Sequence, residues 1–167
     1  MFLERTFIAL GSNLNDPVFQ IKCAIEKIDA LDEVELMATS SLYKTKPLGP
    51  LQPDYVNAVI AVSCQLTPFE LLKQLLEIEK QQGRVRGVKW GPRVLDCDIL
   101  LFGNQIINNP ELILPHPEMR KRGFVLVPMF EIVPDFIFTD GTPLQQLVTL
   151  FEPAECVPLK FENPIEV

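Results

Sequence analysis

The chain has no apolar run of 18 residues, so no segment reads as a membrane-spanning helix and no membrane partner is expected. Basic residues are in deficit: 15 Lys and Arg against 22 Asp and Glu leave a net charge of -7. The pI is about 4.8. A general nucleic-acid partner needs a basic surface, and this balance argues against one. No G-x-x-x-x-G-K-S/T and no G-x-G-x-x-G occurs, which excludes a P-loop and a Rossmann nucleotide site. Cys23, Cys64, Cys97 and Cys156 form no C-x-x-C pair and no Cys/His cluster. That argues against zinc and leaves small core residues with reduced thiols. The first five residues lack the basic-then-apolar order of a signal peptide, so a cytoplasmic protein is expected.

What is present fits a single packed domain: 167 residues, 47% of them hydrophobic. Residues 6–10 read as a strand that ends at Gly11-Ser12-Asn13. Asn15 or Asp16 can cap a helix with Pro17 at its first position, and Phe19, Cys23, Ile25, Ile28 and Leu31 recur at helical spacing behind it. Residues 34–44 and 55–64 read as strands, with a proline-rich loop between. Thr67-Pro68-Phe69-Glu70 is a capping box, and Phe69, Leu72, Leu75, Leu76 and Ile78 mark an apolar face up to Gly83. A strand over 94–102 follows. The order β-α-β-β-α-β predicts an α+β fold of the ferredoxin-like kind, with two helices on one face of an antiparallel sheet. Further helices are expected within 119–134 and 143–151. The domain is drawn as 1–151, with 152–167 as a weakly ordered tail rich in proline and acid.

The most informative pair is Asp96 and Asp98, in the run Trp90-Gly-Pro-Arg-Val-Leu-Asp-Cys-Asp-Ile-Leu-Leu-Phe102. Side chains alternate along a strand, so Leu95, Cys97, Ile99 and Leu101 point one way and the aspartates the other, roughly 7 Å apart. A bare D-x-D is more often a solvated face paired with Lys or Arg. Here Arg84, Arg86, Lys89, Trp90 and Arg93 precede it. Two oxygen-donor side chains suit Mg²⁺, which keeps waters and takes phosphate oxygens as further ligands. With no phosphate-binding loop, side chains must hold the phosphates. Arg84, Arg86, Arg93, Arg122 and His116, the one histidine, are the candidates. Tyr55 and Asn57 share one strand face, an aromatic plane beside an amide, which can stack and read a flat heterocycle. Phe124 can supply a second wall.

Several stretches together resemble the 6-hydroxymethyl-7,8-dihydropterin pyrophosphokinases, a folate-pathway family. They are Ala9-Leu-Gly-Ser-Asn-Leu14, Tyr43-Lys-Thr-Lys-Pro-Leu-Gly49, Gln52-Pro-Asp-Tyr-Val-Asn-Ala58, Glu79-Lys-Gln-Gln-Gly-Arg-Val-Arg86, the D-x-D run from Lys89, Pro115-His-Pro-Glu-Met119 and Arg122-Gly-Phe-Val-Leu126. The resemblance covers residues 7 to about 150 in the family's order.

It implies transfer of the β,γ-pyrophosphoryl group of ATP to the hydroxymethyl oxygen of the dihydropterin, with two Mg²⁺ ions held by Asp96 and Asp98. It implies that Glu79, Arg84, Arg86, Trp90, Arg93, His116 and Arg122 meet ATP, and that Trp90 rides a mobile loop. Arg84 and Arg93 join the two aspartates as the catalytic set. Thr45, Leu48, Tyr55, Asn57 and Phe124 would line the pterin slot. Cys97 departs from the family's usual Leu, Ile or Val, and the tail from 152 has no counterpart. A monomer is expected. A ferredoxin-like module that binds RNA or a regulatory nucleotide is the competing reading, and acidic charge and the D-x-D run argue against it. An inactive family member is a third, opposed by the intact charged set.

Overall fold

A computed structural model of the chain describes residues 4–47, 51–83 and 93–159. The elements follow in the order β1 (Glu4–Ser12), α1 (Pro17–Asp29), β2 (Val34–Thr39), β3 (Tyr43–Thr45), β4 (Tyr55–Cys64), α2 (Pro68–Gln81) and β5 (Asp96–Phe102). Then come β6 (Ile107–Asn109), β7 (Leu112–Leu114), a 3-10 turn at Met119–Lys121, α3 (Gly123–Ile132), α4 (Leu144–Val148) and β8 (Cys156–Pro158). Local chemistry sets the helix starts. Asp16 caps α1 by accepting the Phe19 N–H ahead of Pro17, and Thr67 with Glu70 closes the capping box of α2.

β1 lies between β4 and β5, and all pairings are antiparallel. The main path is β5-β1-β4-β3-β8, with β2 also on β4. The long strand read over 34–44 is therefore two, β2 and β3, both paired with β4 and broken at residues 40–42.

Two cores flank the sheet. On one face Ile8, Leu10, Ala58, Ile60 and Val62 meet Ile21, Ala24 and Ile28 of α1 and Leu71, Leu75 and Ile78 of α2. On the other Phe7, Val59, Ala61, Leu100 and Leu101 meet Val125, Leu126 and Met129 of α3 and Val133 just past its end. Each fully buried side chain of this size contributes about 1.5–3 kcal/mol, so both layers matter to the fold.

The structure corrects several sequence-based expectations. Phe19, Phe69 and Leu76 are exposed at 58%, 40% and 51%, so each helix buries only part of the stripe expected of it, Ile28 in α1 and Leu75 with Ile78 in α2. Each helix carries a few apolar residues outside its buried face, and packing against the sheet selects Ile21, Ala24 and Ile28 and then Leu71, Leu75 and Ile78. Leu101 does not share the face of Cys97 and Ile99. Register shifts between Phe7 and Ile8, which pair with Leu101 and Ile99, so Leu100 is an extra residue. This bulge sends Leu101 toward α3 and Phe102 toward the α1–α2 side. Finally, residues 156–158 are not a loose tail: they form β8 against β3, and the Leu159 N–H donates to the Leu42 carbonyl at 2.8 Å. The edge of β3 gains partners for its backbone groups, which composition alone does not reveal.

Candidate active site

Register across three strands assembles the site. Asp96 of β5 lies opposite Gly11 of β1, Gly11 opposite Asn57 of β4, and Asn57 opposite Tyr43 of β3. Directly opposed residues project from the same face. One rung therefore carries a carboxylate, a bare glycine, an amide and a phenol. Asp98 follows on the next rung of that face, opposite Ala9, and Thr45 pairs with Tyr55 on the other side. This is the face that α3 covers further along the sheet. Two strand spacings, roughly 10 Å, separate Asp96 from Asn57.

Asp96 is half-buried and Asp98 exposed. The Arg93 guanidinium stands 3.9 Å from the Asp96 carboxylate. Glu79 reaches over from α2, is only 2% exposed, and accepts the Cys97 backbone N–H at 2.8 Å. β5 is an edge of the sheet, and Glu79 satisfies the donor between the two aspartates. That bond fixes the strand exactly where the aspartates emerge, a role the family resemblance does not state.

His116 is tied to β5 by its backbone N–H, which donates to the Leu100 carbonyl at 2.9 Å. Its Nδ1 accepts the Glu118 backbone N–H at 3.1 Å. Burial holds its pKa below the ordinary histidine value, Asp98 opposes that shift, and Arg122 adds to it. A neutral ring whose Nδ1 accepts leaves Nε2–H as a donor. Arg122 also places its guanidinium 5.6 Å from the Phe124 ring centre, so charge and aromatic wall are joined. Its neighbours in the basic run turn elsewhere: Arg120 binds Asp140 at 2.7 Å, and Lys121 lies 3.9 Å from Glu118.

On the amide side, Asn57 is buried and donates from Nδ2 to the Thr45 hydroxyl. Tyr55 is half-buried beside it. The structure thus brings together Thr45, Tyr55 and Asn57 on one side and Glu79, Arg93, Asp96, Asp98, His116 and Arg122 toward the other, with Phe124 next to Arg122. Leu48, Arg84, Arg86 and Trp90, with the expected lid, lie outside the described residues. Sequence reasoning missed Gly11 and Asn13, which it treated as the end of a strand. It also missed Glu131, whose carboxylate accepts from the Ser41 N–H, the Ser41 hydroxyl and the Tyr43 hydroxyl. The adjacent Gly-Ser-Asn of the first matching stretch was the available signal for the first two.

Among the described residues no group of three or more His, Cys, Asp or Glu is placed to hold an ion. Two carboxylates on one strand face form an oxygen-only donor pair, which fits a cation that completes its shell with waters and phosphate oxygens. No helix among the described residues is long and apolar enough to cross a membrane.

Comparison with known proteins gives matches over most of the chain. The sequence profile described as 7,8-dihydro-6-hydroxymethylpterin-pyrophosphokinase (HPPK) matches residues 7–134. A 2-amino-4-hydroxy-6-hydroxymethyldihydropteridine pyrophosphokinase of Haemophilus influenzae is 51% identical over 146 residues, 87% of this chain and 91% of that one. The enzyme of that name from Pseudomonas aeruginosa is 46% identical over 159 residues, 93% of this chain and 98% of that one. Among solved structures, an HPPK-DHPS in complex with substrates superposes with a TM-score of 0.70 at 11% identity, covering 90% of this chain and 43% of that one. Plasmodium falciparum HPPK-DHPS gives 0.66 at 13% identity, covering 88% and 43%. This chain spans less than half of those longer chains, and the likeness to them is one of fold.

Proposed function

This chain belongs to the 7,8-dihydro-6-hydroxymethylpterin-pyrophosphokinase family, and we propose that the rung from Asp96 to Asn57 is where it carries out that family's reaction. Its activity is that of a pyrophosphokinase of folate biosynthesis with ATP as co-substrate. The pterin hydroxymethyl oxygen attacks the β-phosphorus of ATP, the bond from that phosphorus to the α-phosphate oxygen breaks, and AMP leaves. The hydroxyl proton passes to solvent or a site carboxylate. No covalent enzyme intermediate is needed.

The observation that carries this reading is the gap at Gly11, with Asp96 on one side and Asn57 on the other. Asn57, oriented by Thr45, reads the donor and acceptor edge of the pterin. Tyr55 and Phe124 provide flat walls, and Leu48 belongs to the same slot. Arg93, His116 and Arg122 face the triphosphate, the family resemblance assigns Arg84, Arg86 and Trp90 to it, and Glu79 holds the strand that carries the aspartates. Asp96 and Asp98 would hold Mg²⁺, two ions in all, which supplies neutralisation of charge on the transferred group. The chain's own part is orientation: it holds two substrates in line over one glycine and excludes the water that would hydrolyse ATP.

The strand order β5-β1-β4-β2, all antiparallel, with α1 and α2 on one face, supports a ferredoxin-like description of the core. A monomer in the cytoplasm completes the proposal. The decisive experiment is a coupled assay for AMP and pterin pyrophosphate with purified protein. Equal yields of the two, dependent on both substrates and Mg²⁺, are expected. ATP hydrolysis indifferent to dihydropterin would overturn the reading.

A further inference from the structure

Asn13 lies just past the end of β1, and its side chain is 2% exposed. It is bonded in two directions. Toward the segment before β4, its Nδ2 donates to the Gln52 side-chain oxygen at 2.8 Å and to the Pro53 carbonyl at 2.9 Å. Toward the start of β5, its Oδ1 accepts the Arg93 backbone N–H at 2.8 Å, and its own N–H donates to the Arg93 carbonyl at 3.0 Å. The orientation of the amide is dictated by chemistry. Pro53 offers only a carbonyl and the Arg93 amide only a donor at these contacts, so oxygen and nitrogen of Asn13 cannot exchange places.

Both polar atoms of the Arg93 main chain are thus held by one residue. Arg93 stands three residues before Asp96 and beside its carboxylate. Pro53 stands two residues before Tyr55 and four before Asn57. A single buried amide therefore spans the two halves of the site, over sequence separations of 39, 40 and 80 residues. A cap or a turn needs no such reach.

We propose that Asn13 is a positioning residue that couples the pterin side of the site to the phosphate side, a claim that rests on the function proposed above. Asn13 touches neither reacting group. When a ligand fixes the segment at Gln52 and Pro53, the amide is fixed with it, and so is the seat of Arg93. The converse holds equally, because a coupling free energy between two ligands is reciprocal. Gln52 is the outer end of the link.

The variants separate its halves. Asn13→Asp keeps an acceptor for the Arg93 N–H but loses both donors and sets a carboxylate against the Pro53 carbonyl. Asn13→Ala removes the link altogether, and Gln52→Ala removes one bond at its far end. Pterin affinity is measured by calorimetry with and without a non-hydrolysable Mg-ATP analogue, and the ratio is the coupling factor. The affinity for the analogue with and without pterin must give the same factor. Melting temperature and far-UV circular dichroism accompany each titration.

In wild type the factor should exceed about tenfold, within the usual range for linked sites. Asn13→Asp and Asn13→Ala should bring it close to one, and Gln52→Ala should reduce it by about half or more on a logarithmic scale. A residue that only stabilised the fold would lower the melting temperature and leave the factor alone. If Asn13→Ala fails to fold, the aspartate and Gln52 variants carry the test. A folded variant set that keeps the wild-type factor overturns the proposal, as does a wild type whose two affinities are independent. A wild type that forms no AMP defeats the functional reading and this inference with it. AMP formation with an unchanged factor in the variants defeats this inference alone.

Discussion

A methyl group on Gly11 would stand 2.8 Å from the side-chain oxygen of Asn57. Real side chains do not tolerate that approach, so one of the two must move. Asn57 has little freedom to do so, because its amide is buried and bonded to Thr45. The Tyr55 ring is next, at 3.7 Å from the same point. Gly11→Ala should therefore displace the pterin-reading amide without touching the phosphate side. Overpacking of this kind costs about 1–3 kcal/mol. We expect pterin affinity to fall by about tenfold or more while ATP affinity changes little. Calorimetric titration with each ligand checks this, and equal losses for both would contradict it.

The carboxylates make a sharper prediction. Asp96→Asn and Asp98→Asn keep shape and remove charge. Loss of a cation ligand should lower kcat by about a hundredfold or more. Neither residue is buried, so the melting temperature should stay near that of wild type. AMP formation is followed across a Mg²⁺ titration. Turnover near wild type at saturating Mg²⁺ in either variant would refute the metal assignment.

His116 is the one histidine of the chain, so its ring proton resonance is unambiguous in a pH titration. Burial depresses its pKa, with Arg122 adding to the effect and Asp98 opposing it. The midpoint in ligand-free protein should lie below 6.5. Arg122→Ala should raise it and Asp98→Asn should lower it further. The stability sign follows from linkage. The unfolded chain takes up this proton first, so the contribution is complete above the unfolded pKa and is lost as pH falls through the folded one. Urea unfolding between neutral and mildly acid pH should show that loss, and His116→Gln should lack it.

Local signals gave away the elements. Strand 55–64, the capping box at Thr67 and the D-x-D strand are all short-range patterns, and each appears where its pattern lies. Elements that depend on distant partners were less legible. β8 exists because β3 has an open edge, and which apolar residues of each helix are buried is completed by the sheet, with Ile28, Leu75 and Ile78 following the expected spacing into the core. The bulge at Leu100 arises from pairing with β1, and no feature of residues 96–102 alone announces it. The same division holds in the site. Charged and aromatic side chains can be nominated from their chemistry and from family resemblance. Gly11 and Asn13 act by what they leave open and by what they bridge, which only register across strands reveals.

Glu131 gives the last prediction. It stands at the end of α3 and holds the break between β2 and β3. Its carboxylate accepts the Ser41 N–H at 2.9 Å, the Ser41 hydroxyl at 3.0 Å and the Tyr43 hydroxyl. Tyr43 is buried, only 7% exposed, and shares the rung of Asn57. Burial pushes the phenol pKa up, and the bond and charge of Glu131 push it further. A raised phenol pKa means stability that is complete below pH 10.0 and lost as pH rises through the folded value. Tyr43→Phe should remove that alkaline loss. Hydrogen bonds to a charged group are worth about 1.5–3 kcal/mol, so Glu131→Ala should cost about that much in urea unfolding at neutral pH. Glu131→Ala and Tyr43→Phe share one bond, so the double variant should lose less than the sum of the singles by about 1 kcal/mol or more. Pterin affinity should drop in Glu131→Ala, because Tyr43 and Thr45 both belong to β3, whose Thr45 orients Asn57. Additive stability effects together with unaltered pterin binding would show that Glu131 is a surface carboxylate with no hold on the site.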